Sequence, residues 1–302
     1  MGYADGYYYG QGRIICDTST FSVGDTIRVR SVYNALQTED KQVVTVGTPL
    51  IFTVPPYDYY KICKVDEINN VETEIGGEYV TIDYGQTVRT KVVDKTSLSG
   101  IQAILNSHNE SIISVGDSIM IHRIENGQIV DWEMLVGNID LINHKIDFVS
   151  RYLSGVSQFY TTRVNTGDYA NSTSIRPYLL DWVNSIVDNE KQYIKAIQRQ
   201  CKQMGSSNFT TFEDKVFIPS VTELFGYQSG YNANESQLQI FITQNERIKT
   251  YGGNAQTFWT RDGYNNSLIA LAPTTGTYNV GTVDYCDGSR YVLPCFTLTA
   301  DS

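Results

Sequence analysis

The segment "TFWTRDGYNNSLIALAPTTG", residues 257–276, combines a tryptophan, an arginine and an aspartate with a polar turn-like sequence. It places Trp259 and Arg261 in a strand-like segment, and a short polar segment follows. Tryptophan is usually buried in folded proteins, and a partly buried arginine needs an acidic partner. We therefore predict that Trp259 fills the core and that Arg261 pairs with a carboxylate such as Asp262 or Glu223. The alternative is that Trp259 and Arg261 line a ligand-binding surface.

The composition of the chain is that of a folded, acidic protein. Of its 302 residues, 41% are hydrophobic and 19% are charged, which argues against disorder and allows one to three domains. The formal net charge of −10 makes the chain a poor candidate for nucleic-acid binding, which needs clustered lysine and arginine. No apolar run reaches about 18 residues and no classical signal peptide is recognised, so we expect no membrane insertion.

The cysteines and histidines do not have the spacing of a metal site. The five cysteines contain no Cys-x-x-Cys pair, and we interpret them as reduced thiols, although Cys286 and Cys295 could meet across a hairpin. The three histidines, His108, His122 and His144, are scattered and are interpreted as surface or strand residues. We therefore predict no metal and no cofactor.

The first third of the chain is divided into an arm, a β-rich domain and a linker. Residues 1–20 are rich in glycine and tyrosine and indicate an N-terminal docking arm, or alternatively a lead-in strand. Residues 21–94 contain short strand-like runs split by turn residues, which predict a β-sandwich docking or carrier domain. Residues 95–112 are one short amphipathic helix or a linker.

The pattern in residues 113–302 predicts an α+β domain. An Asn126-Gly127 dipeptide between two strand-like runs predicts a hairpin with a type I′ turn. Residues 174–204 carry two apolar stripes, the second formed by Ile194, Ile197 and Cys201, and predict the main helical region. "DKVFIPSVTELFG" predicts a strand, a turn and a helical turn closed by Gly226, and "ESQLQIFITQNERIK" predicts another helix.

Catalytic motifs are weak in this sequence. It contains no phosphate-binding P-loop, no dinucleotide fingerprint and no nucleophile-elbow motif. Asp131 and Glu133 share one face of a predicted strand and could form a carboxylate pair for glycoside cleavage, but most such pairs are solvated. We predict that the protein is not an enzyme.

Loops rich in tyrosine, asparagine, serine and glycine are the better candidates for recognition. Such loops combine flat aromatic area with short hydrogen-bonding groups, although turns favour these residue types in any case. The candidate ligand-binding residues are Tyr227, Tyr231, Asn232, Asn234, Tyr264, Asn265, Asn266, Tyr278 and Tyr285.

The order of motifs in residues 113–302 resembles a domain of unassigned function in minor structural proteins of phages and prophages of Gram-positive bacteria. The motifs are "YANSTSIRPYLLDWVNS", "DKVFIPSVTELFG", "FWTRDG" and "GSRYVLPCFTL". The last two are also similar to the C-type-lectin-like fold, although the sequence lacks the triplets used for calcium-mediated sugar binding. The matching positions are Tyr169, Ser172, Ile175, Arg176, Leu179, residues 216–226, Trp259, Arg261, Asp262 and residues 290–298.

The resemblance implies a fold class and a function. The expected fold is α+β, with an N-terminal immunoglobulin-like β-sandwich followed by a C-type-lectin-like α+β domain. Its structural core would include Trp182, Trp259, Arg176, Arg261 and Arg290. The expected function is that of a virion structural protein, of tail-fibre, baseplate or head-fibre type, which is assembled in the bacterial host cytoplasm.

The resemblance also implies partners. The N-terminal arm and sandwich would bind other virion proteins, and the C-terminal domain would bind a host-surface glycan or protein. A homo-oligomer, with a trimer favoured, would multiply weak contacts. The alternative is a purely structural virion or assembly component that has no ligand.

Overall fold

The computed structural model describes residues 12–19, 21–34, 38–55, 58–66, 71–75, 80–82, 86–90, 94–279 and 281–301. The chain divides into two compact units, Met1–Ile104 and Leu105–Ser302. This boundary lies within helix α1 (Leu98–Asn106), inside the predicted linker. Residues 1–11 and residue 20 of the predicted arm lie outside the described residues, whereas Gly12–Cys16 form strand β1.

Two sheets form the N-terminal unit. Besides β1, their strands are β2 (Thr26–Ser31), β3 (Thr38–Gln42), β4 (Leu50–Val54), β5 (Asp58–Asp66), β6 (Val71–Glu74), β7 (Val80–Ile82) and β8 (Thr87–Thr90). In the first sheet β1 lies between β4 and β8, antiparallel to β4 and parallel to β8. The second has the order β3-β2-β5-β6, and β7 also pairs with β5. Both sheets contribute to one hydrophobic cluster, which includes Ile14 and Phe52 from the first and Ile27 and Ile62 from the second.

Strands are also the main regular structure of the C-terminal unit. They are β9 (Ser118–Glu125), β10 (Gln128–Asp140), β11 (Lys145–Ser150), β12 (Val156–Gln158), β13 (Ile197–Lys202), β14 (Phe209–Asp214), β15 (Val216–Phe217), β16 (Thr250–Tyr251), β17 (Asn254–Ala255), β18 (Phe258–Asn265), β19 (Leu268–Ala272), β20 (Val283–Tyr285), β21 (Ser289–Tyr291) and β22 (Cys295–Thr299). The helices are α2 (Ile175–Asn184), α3 (Asp188–Lys191) and α4 (Val221–Phe225), with 3-10 helices at Glu110–Ile112, Tyr169–Asn171, Gln239–Ile242 and Asn245–Arg247.

These strands are divided among two five-stranded sheets and two hairpins. The sheet orders are β15-β22-β11-β10-β9 and β12-β21-β18-β19-β20, and the hairpins are β13-β14 and β16-β17. The turn between β9 and β10 confirms the predicted hairpin, because Asn126 and Gly127 have φ values of 51° and 77°. Positive φ at both central residues is what a type I′ turn requires.

The predicted fold class is wrong. Strands hold 41% of the residues and helices 16%, the strands belong to several separate sheets, and the four α-helices of the described residues are short. This architecture is mostly β and is not the C-type-lectin-like α+β domain that was expected, and no immunoglobulin-like sandwich is shown. No helix within the described ranges is long and apolar enough to cross a membrane.

The error arises from helical patterns that strands also satisfy. The predicted helical region ends early, because α2 stops at Asn184, α3 is a single turn and β13 begins at Ile197. Ile197 and Cys201 are four residues apart, a spacing that places two side chains on one face of either a helix or a strand. The predicted helix over "ESQLQIFITQNERIK" is likewise wrong, since that segment contains two 3-10 helices.

Candidate functional site

A fully buried arginine joins several segments of the C-terminal unit. Arg261 of β18 is 0% exposed, and its guanidinium donates to Glu223 Oε2 at 2.5 Å and to Glu235 Oε1 at 2.6 Å. It also donates to the carbonyl oxygens of Ile218 and Gln200 at 2.9 and 2.8 Å. A buried arginine satisfied in this way fixes the relative positions of the segments that supply its partners.

A second arginine extends this arrangement into a chain of ion pairs. Arg199 of β13 donates to Glu223 Oε1 at 2.5 Å and to Asp147 Oδ1 at 2.6 Å. The order Asp147, Arg199, Glu223, Arg261, Glu235 is called the ion-pair chain below. It joins β11, β13, α4, the loop after α4 and β18, so it links both large sheets of this unit to the β13-β14 hairpin.

The short helix α4 positions Glu223 through a capping box. Ser220 Oγ accepts from the Glu223 N–H at 3.0 Å, and Glu223 Oε2 accepts from the Ser220 N–H at 3.0 Å. Ser220 Oγ also donates to Glu235 Oε2 at 2.5 Å. Asp262 accepts from the backbone N–H of Val221 at 2.8 Å and holds the first turn of α4 from β18. Of the two carboxylates considered for Arg261 from the sequence, Glu223 forms the pair.

Burial and neighbouring charges shift the pKa values of Glu223 and Glu235 in the ion-pair chain in opposite directions. Burial alone would raise the pKa of Glu223, but Arg261 and Arg199 outweigh it and hold that pKa well below its usual range. Burial raises the pKa of Glu235, and Arg261 offsets this only in part. Burial raises the pKa of Asp262 as well. Glu223 is therefore the firmly anionic centre of the chain.

An open cleft of about 440 Å³ lies against the ion-pair chain. Asp147, Arg199, Glu223 and Glu235 supply the less exposed part of its lining. The remaining lining residues are almost all polar, and several are exposed, so hydrogen-bonding groups line the cleft. They are Asn138, Asp140, Lys145, Gln198, Gln200, Asn232, Asn234, Ser236 and Leu238.

Comparison with known proteins identifies a family for this region. A domain of unknown function, DUF6273, matches residues 143–300, which is just over half of the chain. The chain belongs to the DUF6273 family. No curated protein and no solved structure matches it. The DUF6273 region contains all five residues of the ion-pair chain and most of the cleft lining, whereas Asn138 and Asp140 precede it.

The candidate recognition residues of the DUF6273 region are divided between the cleft, a core and the surface. Asn232 and Asn234 line the cleft, and Asn232 Nδ2 donates to Gln200 Oε1 at 3.1 Å. Tyr231 and Tyr278 pack in a hydrophobic cluster with Val221, Phe225 and Ala270, so they form part of a core rather than a free surface. The others are half-buried or exposed: Tyr227, Tyr264, Asn265, Asn266 and Tyr285.

The residues predicted for the structural core are buried to different degrees. Trp259 is 0% exposed and donates through Nε1 to the Ser157 carbonyl at 2.8 Å, and Trp182 is 3% exposed. Arg176 pairs with Asp214 at 2.6 Å from a half-buried position. Arg290 is also half-buried, with a side chain that is 39% exposed, and pairs with Asp284 of β20.

The other candidate sites predicted from the sequence lie away from the cleft. The Asp131 side chain is 59% exposed, and Glu133 pairs with Arg151 at 2.6 Å. Neither carboxylate lines the cleft. Cys286 and Cys295 are free, buried thiols, so no disulfide joins them. The histidines are not all scattered, since His108 and His144 lie side by side.

Proposed function

We propose that this protein is a structural component of a bacteriophage particle and that its C-terminal unit is a binding module for a host-surface glycan. The association with phage rests on the order of motifs in residues 113–302, which resembles minor structural proteins of phages. The observation that carries the binding role is the cleft, whose exposed lining includes Gln198, Asn234 and Ser236. In this proposal the N-terminal unit binds other virion proteins.

The chemistry of the cleft suits a carbohydrate. Its volume of about 440 Å³ falls within the range of small-ligand sites, roughly 300–1,000 Å³. Sugar hydroxyls both donate and accept hydrogen bonds, as side-chain amides do. The lining contains four carboxylates and two cationic side chains, which favours a neutral or amino sugar over a polyanion. The ion-pair chain fixes much of this lining in advance, which reduces the entropic cost of binding.

The partners of the carboxylates favour binding over catalysis. Both oxygens of Glu223 accept from arginines, and both oxygens of Glu235 accept hydrogen bonds, from Arg261 and Ser220. A general acid or base must reach the proton that it transfers, and these carboxylates are already engaged with protein groups. We therefore propose a module that binds without cleaving. Presentation in a homo-oligomer would multiply a weak single-site affinity.

The second candidate is a purely structural virion component that has no ligand. The abundance of protein-internal ion pairs in the cleft lining is consistent with a role in stability alone, since a buried ion-pair network also specifies a fold. Saturable binding of a glycan distinguishes the two candidates, because the structural role requires none.

Substitution of one exposed asparagine in the cleft tests the proposed function. The full-length protein, displayed in multiple copies on beads, is applied to immobilised host cell-wall glycans and to a glycan array. Asn234→Ala is expected to weaken binding at least tenfold, because it removes both a donor and an acceptor from the cleft. Asn265→Ala is the matched control, an exposed asparagine outside the cleft lining.

Three outcomes separate the candidates. If only Asn234→Ala weakens glycan binding, the result supports the cleft as the binding site. Weakening by Asn265→Ala alone moves recognition to the β18-β19 turn and contradicts the cleft. No binding by the unmodified protein, even in multivalent form, rules out adhesion to these glycans and favours the purely structural role.

A further inference from the structure

We propose that His108, Glu110 and His144 bind a divalent late transition-metal ion, with Zn²⁺ as the representative. Each of these residues offers one ligand atom, and the three atoms lie within 4.8 Å of one another. His144 Nδ1 lies 2.9 Å from Glu110 Oε1, and the two imidazole rings have centroids 3.8 Å apart. This cluster belongs entirely to the C-terminal unit and is independent of the proposed glycan cleft.

The backbone brings these residues together from two distant segments. His108 follows α1, and its N–H donates to the Leu105 carbonyl at 3.0 Å, while Glu110 begins a 3-10 helix. His144 lies in the turn between β10 and β11, and its carbonyl accepts from the Ala300 N–H at 3.0 Å. The turn that contains His144 is thereby hydrogen-bonded to Ala300, the residue after β22. Both segments of the cluster therefore have defined positions.

Both histidines adopt a left-handed backbone conformation. His108 has φ of 51° and His144 has φ of 48°, and they are two of the four non-glycine residues with positive φ in the described part of the chain. Non-glycine residues in this conformation persist where the surrounding structure holds them, and they concentrate at functional sites. Here the conformation accompanies the approach of two imidazoles to one carboxylate.

The ligand set selects the class of metal. Imidazole nitrogen combined with carboxylate oxygen suits zinc and its late-transition neighbours, whereas calcium and magnesium require six or more oxygen ligands. With metal–ligand distances of about 2.1 Å, tetrahedral ligand atoms are about 3.4 Å apart, so small side-chain rotations suffice. Three protein ligands leave one position for water. The metal would replace the proton that lies between His144 and Glu110, and that proton would pass to solvent.

The burial of Glu110 and the exposure of His108 both suit a metal-binding site. Glu110 is only 3% exposed, and a buried carboxylate is stable only with a cation or hydrogen-bond donors. A divalent ion bound here would balance the negative charge of this carboxylate. His108 is exposed, which gives the ion an entry path from solvent.

His122 provides a matched control within the same unit. Its Nδ1 lies 2.5 Å from Glu190 Oε1, so it has a histidine–carboxylate contact similar to that of His144. It does not belong to a three-ligand cluster of the kind found at His108, among residues whose placement is described. A response that depends on two histidines and one carboxylate should therefore spare His122.

The test uses the full-length, tag-free protein after treatment with a chelator. Titration with Zn²⁺ in a calorimeter is expected to show one ion per chain, and Co²⁺ should give visible absorption bands of a low-coordinate site. His108→Asn and His144→Asn are expected to weaken zinc binding at least tenfold, since removal of even an outer-shell partner typically costs 10–100-fold. Asparagine tolerates positive φ, so these variants keep their turns.

The controls separate loss of the ligand from loss of the fold. His122→Asn should bind zinc like the unmodified protein, and all three variants should melt at similar temperatures in chelator. Zinc should raise the melting temperature of the unmodified protein and of His122→Asn only. The proposal is overturned if the unmodified protein shows no saturable zinc binding, or if His108→Asn and His144→Asn bind zinc normally.

Discussion

Arg261→Met is expected to lower the free energy of unfolding by about 3–5 kcal/mol, the cost of removing one partner from a buried ion pair. The substitution leaves Glu223 and Glu235 without the guanidinium that lies 2.5 and 2.6 Å from their oxygens. It also leaves the Ile218 and Gln200 carbonyls without their Arg261 donors. Domains are typically stable by 5–15 kcal/mol, so the variant would retain only part of its stability.

Urea unfolding followed by tryptophan fluorescence measures this loss, because Trp259 lies in the same strand as Arg261. Arg290→Met is the control, since it removes an arginine whose side chain is 39% exposed in its pair with Asp284. Its expected cost is about 0–1 kcal/mol. Equal effects of the two substitutions would show that the ion-pair chain contributes no more than a surface pair.

A triple variant tests whether uncompensated charge causes the loss. Arg261→Met combined with Glu223→Gln and Glu235→Gln removes the buried carboxylates together with the cation. We expect this variant to recover part of the lost stability, because neutral amides cost less to bury than unpaired carboxylates. A further loss would instead indicate that the carboxylates stabilise the unit through their contacts with Ser220 and Arg199.

The local features of the site could be predicted from the sequence. The Ser220-x-x-Glu223 spacing is a capping-box pattern, and Gly226, with φ of 75°, ends the short helix. Arg261 follows the bulky apolar residues Phe258 and Trp259 in β18, and an arginine in such a strand indicates a carboxylate partner. The capping box depends on residues that lie within a few positions of one another, where spacing alone constrains the geometry. The partners of Arg261 are more distant, since Glu223 and Glu235 lie 38 and 26 residues earlier.

The cleft could not be predicted, because it depends on long-range pairing. Arg199 contacts Asp147, which is 52 residues earlier, and Glu223, which is 24 residues later. The sequence around Arg199 satisfies a helical period as well as a strand period, and the helical interpretation would have directed this side chain elsewhere. The histidine cluster was missed for the same reason, since 34 residues separate Glu110 from His144.

Lys249→Met is expected to raise the free energy of unfolding by about 1–3 kcal/mol at pH 7. Lys249 is 4% exposed, and burial lowers its pKa to about 8, an effect that Glu246 offsets only in part. Its Nζ lies 5.5 Å from the centroid of the Phe241 ring, a contact that methionine can replace with apolar packing. Removal of the buried ammonium therefore removes a desolvation penalty.

The pH dependence of this gain has a defined sign. The pKa of Lys249 in the folded protein is about 8, below the value of about 10.4 for an unfolded lysine. Between these values the unfolded chain binds more protons, so the contribution of Lys249 to stability rises with pH. The cost of burying the Lys249 ammonium is complete below about pH 8. It is relieved as the pH approaches about 10, because the buried amine is then neutral. The advantage of Lys249→Met should shrink across that window.

Urea unfolding at pH 7, 8.5 and 10 gives the free energy of unfolding of the unmodified protein and of Lys249→Met. The difference between these two free energies isolates Lys249 from other groups that titrate at high pH. Lys215→Met is the control at an exposed lysine and should change stability by less than about 0.5 kcal/mol at each pH. A constant difference across the series would mean that Lys249 keeps an ordinary pKa. Destabilisation by Lys249→Met at pH 7 would mean that the attraction of the ammonium to the Phe241 ring and Glu246 exceeds its cost of burial.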